Sequence, residues 1–294
     1  MVKVYYSPQY VGSGYAFDTT RKAQWIADSL LAAPIKGIEL VEPTPLTPEQ
    51  VAEVHDPEYV QAVLTGKPRH LAESQGFTWD AGLAPMVLAS NGGAVAAALT
   101  ARKDGVAGSL SSGLHHAKPH SGDGFCTFNG LAIAANEVLK VGVSSLLILD
   151  FDAHCGGGTA SLIRDDSRVW QLDVSVSSFD VYPSSERLAL RIVRNSRDYL
   201  GVIESELAEL ATRLPEVGLC LYNAGMDPFE GCSTGGLEGI SYHVLARRER
   251  IVFDWCREHK IPIAFVLAGG YVGRDLDQAG LVALHRLTLS AAVA

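Results

Sequence analysis

The chain has 294 residues, 47% hydrophobic and 19% charged, a composition that suits a globular domain with a sizeable core and excludes a disordered or fibrous chain. Its formal net charge of −9, without any Lys/Arg run, excludes a nucleic-acid footprint and favours cationic substrates at long range. Five cysteines (Cys126, Cys155, Cys220, Cys232 and Cys256) contain no Cys-x-x-Cys, so they read as reduced thiols in a cytoplasmic setting rather than as disulfides or a thiolate zinc site.

In chain order, Met1 to Pro8 reads as a strand, Val2 to Tyr6, and a turn, not as a charged leader before an apolar stretch. No apolar run is expected to reach the length of a membrane span. The Pro-rich Glu42 to Pro48 is too short to divide domains, and Asp56-Pro57-Glu58 supplies an N-cap and first turn for a helix through Leu64. Ala81 to Ala101 reads as an alanine-rich helix. Strands follow at Gly105 to Leu110, Ser144 to Leu149 and Arg168 to Val174. Ile203, Leu207, Leu210 and Leu214 fall on one helical face, and strands at Val217 to Tyr222 and Ile261 to Leu267 complete the series. Strands this uniformly apolar need helices on both faces, which predicts a three-layer α/β/α sandwich on a mainly parallel sheet, with residues 1–294 as a single domain.

Ligands in such folds bind beyond the carboxyl ends of strands, and polar residues gather there. The first strand after the alanine-rich helix leads into Ser111-Ser-Gly-Leu-His-His116, where only an irregular loop lets His115 and His116 converge. By itself the pair is equally compatible with a surface role. Ser144 to Leu149 runs into Asp150-Phe-Asp-Ala-His154, whose alternation places Asp150, Asp152 and His154 on one side of the backbone. Val217 to Tyr222 runs into Asn223-Ala-Gly-Met-Asp-Pro228, and Ile261 to Leu267 into Ala268-Gly-Gly-Tyr271. Asp152, His154 and Asp227 form a three-ligand set for Zn²⁺ with an open position, and the same donors suit Fe²⁺, Co²⁺ or Mn²⁺.

Five ordered motifs, Gly113-Leu-His-His-Ala117, Gly124-Phe-Cys-Thr-Phe-Asn129, Asp150-Phe-Asp-Ala-His154, Asn223-Ala-Gly-Met-Asp-Pro228 and Gly269-Gly-Tyr271, resemble the zinc-dependent histone deacetylases. Their bacterial relatives, acetylpolyamine amidohydrolases and acetoin-utilisation proteins, share the resemblance. It implies the arginase/deacetylase fold and hydrolysis of the amide of an acylated amine such as acetyl-lysine, with Asp152, His154 and Asp227 on zinc. By the same resemblance His115 and His116 provide base and acid, Tyr271 donates to the oxyanion, and Asp150 orients His115. Gly124 and Phe125 line one wall of a narrow substrate tunnel and Tyr182 the other, while Asp150 and Asp173 hold a structural K⁺. For Asp173 alone, a solvated strand-end carboxylate is the plainer reading.

One position departs from the pattern: Gly157 stands where the family commonly has Asp or Asn to orient the second histidine. His116 is then expected to lack a carboxylate partner and to protonate less readily, its orientation coming from elsewhere, and Gly157→Asp is expected to raise the acidic-limb pKa of kcat/KM. The plain reading of Gly156-Gly-Gly158 is a tight turn into a helix starting near Thr159. His55, His70, His120, His243, His259 and His285 belong to no complete motif. A dinuclear ureohydrolase is disfavoured, because Cys155 and Gly156 stand where a second metal needs a carboxylate, whereas a silent acyl-ligand-binding homologue stays open because of Gly157. Acetyl-lysine, acetylated polyamine and other small amides are alternative substrates whose choice lies in rim loops such as His70 to Asp80 and Ser177 to Arg187.

Overall fold

A computed structural model describes residues 1–15 and 18–294. Its elements are β1 (Val2–Tyr5), α1 (Asp18–Ala32), β2 (Ile38–Val41), α2 (Pro48–Ala52), α3 (Pro57–Thr65), α4 (Arg69–Ala72), α5 (Leu83–Asp104), β3 (Val106–Ser109) and α6 (Gly130–Lys140). The second half adds β4 (Leu146–Asp150), α7 (Gly157–Ile163), β5 (Val169–Ser175), β6 (Leu188–Ile192), α8 (Tyr199–Arg213), β7 (Leu219–Gly225), α9 (Tyr242–Glu258), β8 (Ile263–Ala268) and α10 (Gln278–Ala292). Among the described residues eight strands form one sheet in the order β2-β1-β3-β8-β7-β4-β5-β6. All of its pairings are parallel.

Alternation along the central strands divides the core into two layers. Leu147 and Leu149 of β4, Tyr222 of β7 and Phe265 of β8 pack with residues of α1, α8, α9 and α10. Leu146 and Ile148, Leu221, and Ala264 and Val266 pack on the opposite side with residues of α3, α5 and α6. Every residue of β4, β5, β7 and β8 is buried, which is why these strands lack a polar alternation. The result is the predicted three-layer sandwich.

Three expectations need correction. The helix α5 is 22 residues long and apolar enough by length and composition to cross a membrane, yet 72% of its most apolar stretch is buried inside the fold. A helix enclosed on all sides needs no polar face. The edge strands β2 and β6 escaped the sequence reading because they are short and partly exposed. Finally, α7 begins at Gly157, ahead of the expected start near Thr159.

The chain order places a switch point at the β4/β7 boundary: from β4 the chain moves outward to β5 and β6, and from β7 it moves the other way to β8. Strands diverging to opposite sides leave a crevice beyond their carboxyl ends. Asp150 and Asn223 face each other in register at that crevice, so the residues that follow each strand converge.

Candidate active site

The metal-ligand candidates meet at this crevice. Asp152, His154 and Asp227 are all buried, with one ligand atom from each lying within 4.8 Å of the others. His154 Nδ1 lies 3.2 Å from Asp152 Oδ1 and 3.0 Å from Asp227 Oδ2. The backbone holds the carboxylates in place, since Ala153 N donates to Asp227 Oδ1 at 2.9 Å and His154 N to Asp152 Oδ1 at 3.0 Å. Asp227 Oδ2 is buried and makes no aligned hydrogen bond. Gly269 is required beside them, because a Cβ there would stand 2.3 Å from Asp227 Oδ1 and 2.7 Å from Asp152 Oδ2.

The charges in this cluster fit a cation. Burial alone would lower His154, but Asp152 and Asp227 override it and push the imidazole up to about 11. Burial, and then the neighbouring Asp152, pushes Asp227 up to about 6, while His115 and His154 overcome burial and hold Asp152 well below the usual carboxylate range. Two buried carboxylates thus share the neighbouring imidazole of His154. An oxygen left unbonded and a donor set of two carboxylates and one imidazole fit a divalent ion with an open position.

The histidine pair sits above this cluster. Leu114 at φ +53° makes the turn that brings the two imidazoles to 3.9 Å between ring centres. The loop is clamped from below: Asn129, the N-cap of α6, donates from Nδ2 to His115 O and Ala117 O, both at 3.2 Å. His55 completes the clamp. Asn129 N donates to its Nε2 at 2.9 Å, so Nδ1 carries the proton and donates to Lys118 O at 2.9 Å.

His115 Nδ1 donates to Asp150 Oδ2 at 2.7 Å, and Asp150 Oδ1 accepts from Asn223 Nδ2 at 2.8 Å. His116 has a partner that the sequence reading missed: its Nδ1 donates to Asp180 Oδ2 at 3.0 Å. The expected vacancy beside Gly157 is therefore corrected. A Cβ at Gly157 would stand 2.2 Å from Asp180 O, so Gly157→Asp would collide with this partner instead of supplying one. The triple glycine does lead into a helix, with Gly156 as the N-cap of α7, but none of the three has a positive φ, so no left-handed conformation requires them. Gly158 is likewise needed for space, as its Cβ would lie 2.4 Å from the His116 carbonyl carbon.

The two imidazoles differ electrostatically. Burial would lower His115, but the carboxylates of Asp150 and Asp152 push it up to about 10. Burial and then the charge of His115 push His116 down to about 4, despite Asp180.

A cavity lined by His115, His116, Asp152, Gly269 and Tyr271 opens past Gly124 and Phe125. Burial, followed by the charges of Asp227 and Asp152, pushes the Tyr271 hydroxyl far above its usual range, so it stays protonated. Gly124 (φ +48°) packs so closely that a Cβ would lie 2.5 Å from His116 Cδ2 and 3.1 Å from Phe179 Cε1. Tyr182 is not at the wall. It is buried, its hydroxyl donates to Ala189 O at 3.1 Å, and it does not line the cavity. Phe179 lies outside that lining as well, but it packs 4.9 Å from the His116 ring and is 45% exposed.

Asp173 pairs in register with Asp150, with Oδ2 accepting from Gly156 N at 2.7 Å and Oδ1 from Gln171 Nε2 at 2.8 Å. It is fully buried, which overturns the solvated strand-end reading. Burial and the Asp150 carboxylate push it well above its ordinary value. Cys126 and Cys155 are buried free thiols, as are the other three cysteines.

Sequence comparison matches residues 17–287 to the family described as histone deacetylase domain. A protein of Picosynechococcus named as uncharacterized is 33% identical over 269 residues, covering 86% of this chain and 88% of its own. Histone deacetylase 2 of Arabidopsis thaliana is 32% identical over 62% of this chain, which spans 48% of that relative. Among solved structures, the HDA15 HD domain superposes with a TM-score of 0.80 at 19% identity, covering 99% of this chain and 89% of its own. An acetylpolyamine aminohydrolase from Burkholderia pseudomallei gives 0.80 at 18%, covering 99% and 98%. At such identities the structures speak for the fold alone, and it is the match across residues 17–287 that makes this chain a member of the histone deacetylase family.

Proposed function

We propose that the chain is a single-domain, metal-dependent amidohydrolase of the cytoplasm that removes an acyl group, acetyl foremost, from an extended amine such as the lysine side chain. The observation that carries this reading is the opening of one cavity onto Asp152, His115, His116 and Tyr271, with His154 and Asp227 beside Asp152. Asp152, His154 and Asp227 would hold the ion, zinc by preference, with Fe²⁺, Co²⁺ or Mn²⁺ as alternatives. Such an ion supplies Lewis acidity toward the amide carbonyl and acidifies a water.

The chain's own groups divide the remaining work. His116, neutral at physiological pH and tied at Nδ1, offers Nε2 as the base that takes a proton from the attacking water. His115, held protonated by Asp150 and Asp152, gives its Nε2 proton to the departing amine. Tyr271 donates its hydroxyl to the oxygen that gains negative charge as the carbonyl is attacked. Gly124, Phe125 and Phe179 flank the amine's methylene chain, which needs an apolar sleeve. The Asp150 backbone and the buried Asp173 carboxylate would hold a monovalent cation, K⁺, whose charge offsets the repulsion between the Asp150 and Asp173 carboxylates.

The test is hydrolysis of a fluorogenic acetyl-lysine amide and of an acetylated polyamine, each with and without a chelator. Chelator-sensitive turnover is expected, and Tyr271→Phe should lower kcat by roughly 100- to 1000-fold, the usual effect of deleting one oxyanion donor. Absence of metal-dependent turnover across a panel of acyl amines would favour the silent acyl-binding reading.

A further inference from the structure

We propose that Asp180 is the positioning residue for His116, a carboxylate supplied by the loop after β5 whose place is kept open by Gly157. Asp180 Oδ2 accepts from His116 Nδ1 at 3.0 Å and from Gly158 N at 2.9 Å, while Oδ1 lies 3.5 Å from Lys118 Nζ. With Nδ1 engaged, the imidazole cannot rotate, and only Nε2 is free for chemistry. The Asp180 side chain is 8% exposed, so the contact is shielded from competing water.

Two features show that the contact is built and not incidental. Asp180 holds φ +58°, a left-handed conformation that the short polar side chain of Asp tolerates better than most other residues would. The loop is also pinned to the segment after β4, with Cys155 N donating to Phe179 O at 3.0 Å and Ser177 N to Ala153 O at 2.8 Å. Positions 157 and 180 moreover exclude each other, because a Cβ on Gly157 would fall 2.2 Å from Asp180 O and 2.6 Å from its Oδ1. The segment that orients His116 also presents Phe179 to the same ring. Wall and imidazole are therefore placed together.

The inference rests on the amidohydrolase reading, and its experiment has one arm that does not. In metal-free protein labelled with ¹⁵N-histidine, the His116 Nδ1–H should give a slowly exchanging, hydrogen-bonded proton resonance that Asp180→Ala abolishes. This arm reads the contact even if no amide is hydrolysed. In the metal-loaded enzyme, Asp180→Ala should lower kcat by about 10- to 100-fold with KM moving less than about twofold. Gly157→Asp alone should also be impaired by collision with Asp180. An Nδ1–H resonance unaffected by Asp180→Ala, or an active enzyme whose kcat that substitution leaves unchanged, overturns the proposal. Should the alanine variant fold poorly, Asp180→Asn decides. It keeps an acceptor oxygen and must retain the resonance, and losing it would count against the contact.

Discussion

The floor of the site is carried on the ends of fully buried parallel strands, whereas its rim is carried on loops held by left-handed residues and side-chain bonds. Asp150 ends β4, and Asp152 and Asp227 lie just beyond β4 and β7, where sheet register fixes their spacing. Phe125 at φ +65° and Asp180 at φ +58° are fixed instead by local packing. The difference bears on what each region tolerates. A floor group has no neighbour able to replace it, while at the rim one segment can take over a task vacated by another, as Asp180 does beside Gly157.

The largest effect should come from the floor. Asp227→Asn keeps an oxygen to accept from Ala153 N but removes the charge that attracts a cation. Metal content measured on purified protein should fall to background and kcat/KM by at least about 1000-fold, several kcal/mol of transition-state stabilisation, with the fold retained. A variant that keeps stoichiometric metal would show that the floor, too, can be substituted.

The histidine loop sharpens the comparison, because it is a loop yet is anchored from within the core by His55 and Asn129. Burial pushes His55 down to about 4 from its ordinary 6.5, so the folded protein holds it neutral. As pH falls from about 6.5 toward 4, the unfolded chain binds a proton that the native chain does not, and stability is lost across that window. It is fully present above the unfolded value. The total at stake is about 3 kcal/mol, because each tenfold difference in proton affinity between the folded and unfolded chain is worth about 1.4 kcal/mol. Between pH 7 and 4.5, wild type should therefore lose about 2 kcal/mol more stability than His55→Gln in urea unfolding at constant m. Equal losses would mean that the loop is not anchored through a neutral His55.

The same contrast governed what could be read from the sequence. The central strands and the floor residues were legible because buried parallel strands leave uninterrupted apolar runs, and polar residues at their ends stand out. The half-exposed edge strands β2 and β6 leave no such trace. Asp180 was missed because its contact joins residues 64 apart through a loop with no periodic pattern. The available signal was Gly157 itself, a missing carboxylate that another acidic residue has to replace. His55 was passed over because a buried imidazole that bonds two backbone groups belongs to no motif.

Tyr182 and Phe179 give the smallest effects but separate wall from scaffold most directly. Both are aromatic residues on one loop, and residue type alone cannot say which faces the cavity. Phe179 packs against His116 and is 45% exposed, whereas the Tyr182 hydroxyl is spent on Ala189 O. Phe179→Ala should raise KM for an acetyl-lysine amide by roughly fivefold, about 1 kcal/mol of lost apolar contact, with kcat changing less. Tyr182→Phe should leave KM unchanged and reduce unfolding stability by about 1 kcal/mol, the net worth of one buried hydrogen bond. The crossed result, KM responding to Tyr182→Phe and not to Phe179→Ala, would put Tyr182 back at the wall and would require the loop after β5 to take another path in the presence of substrate.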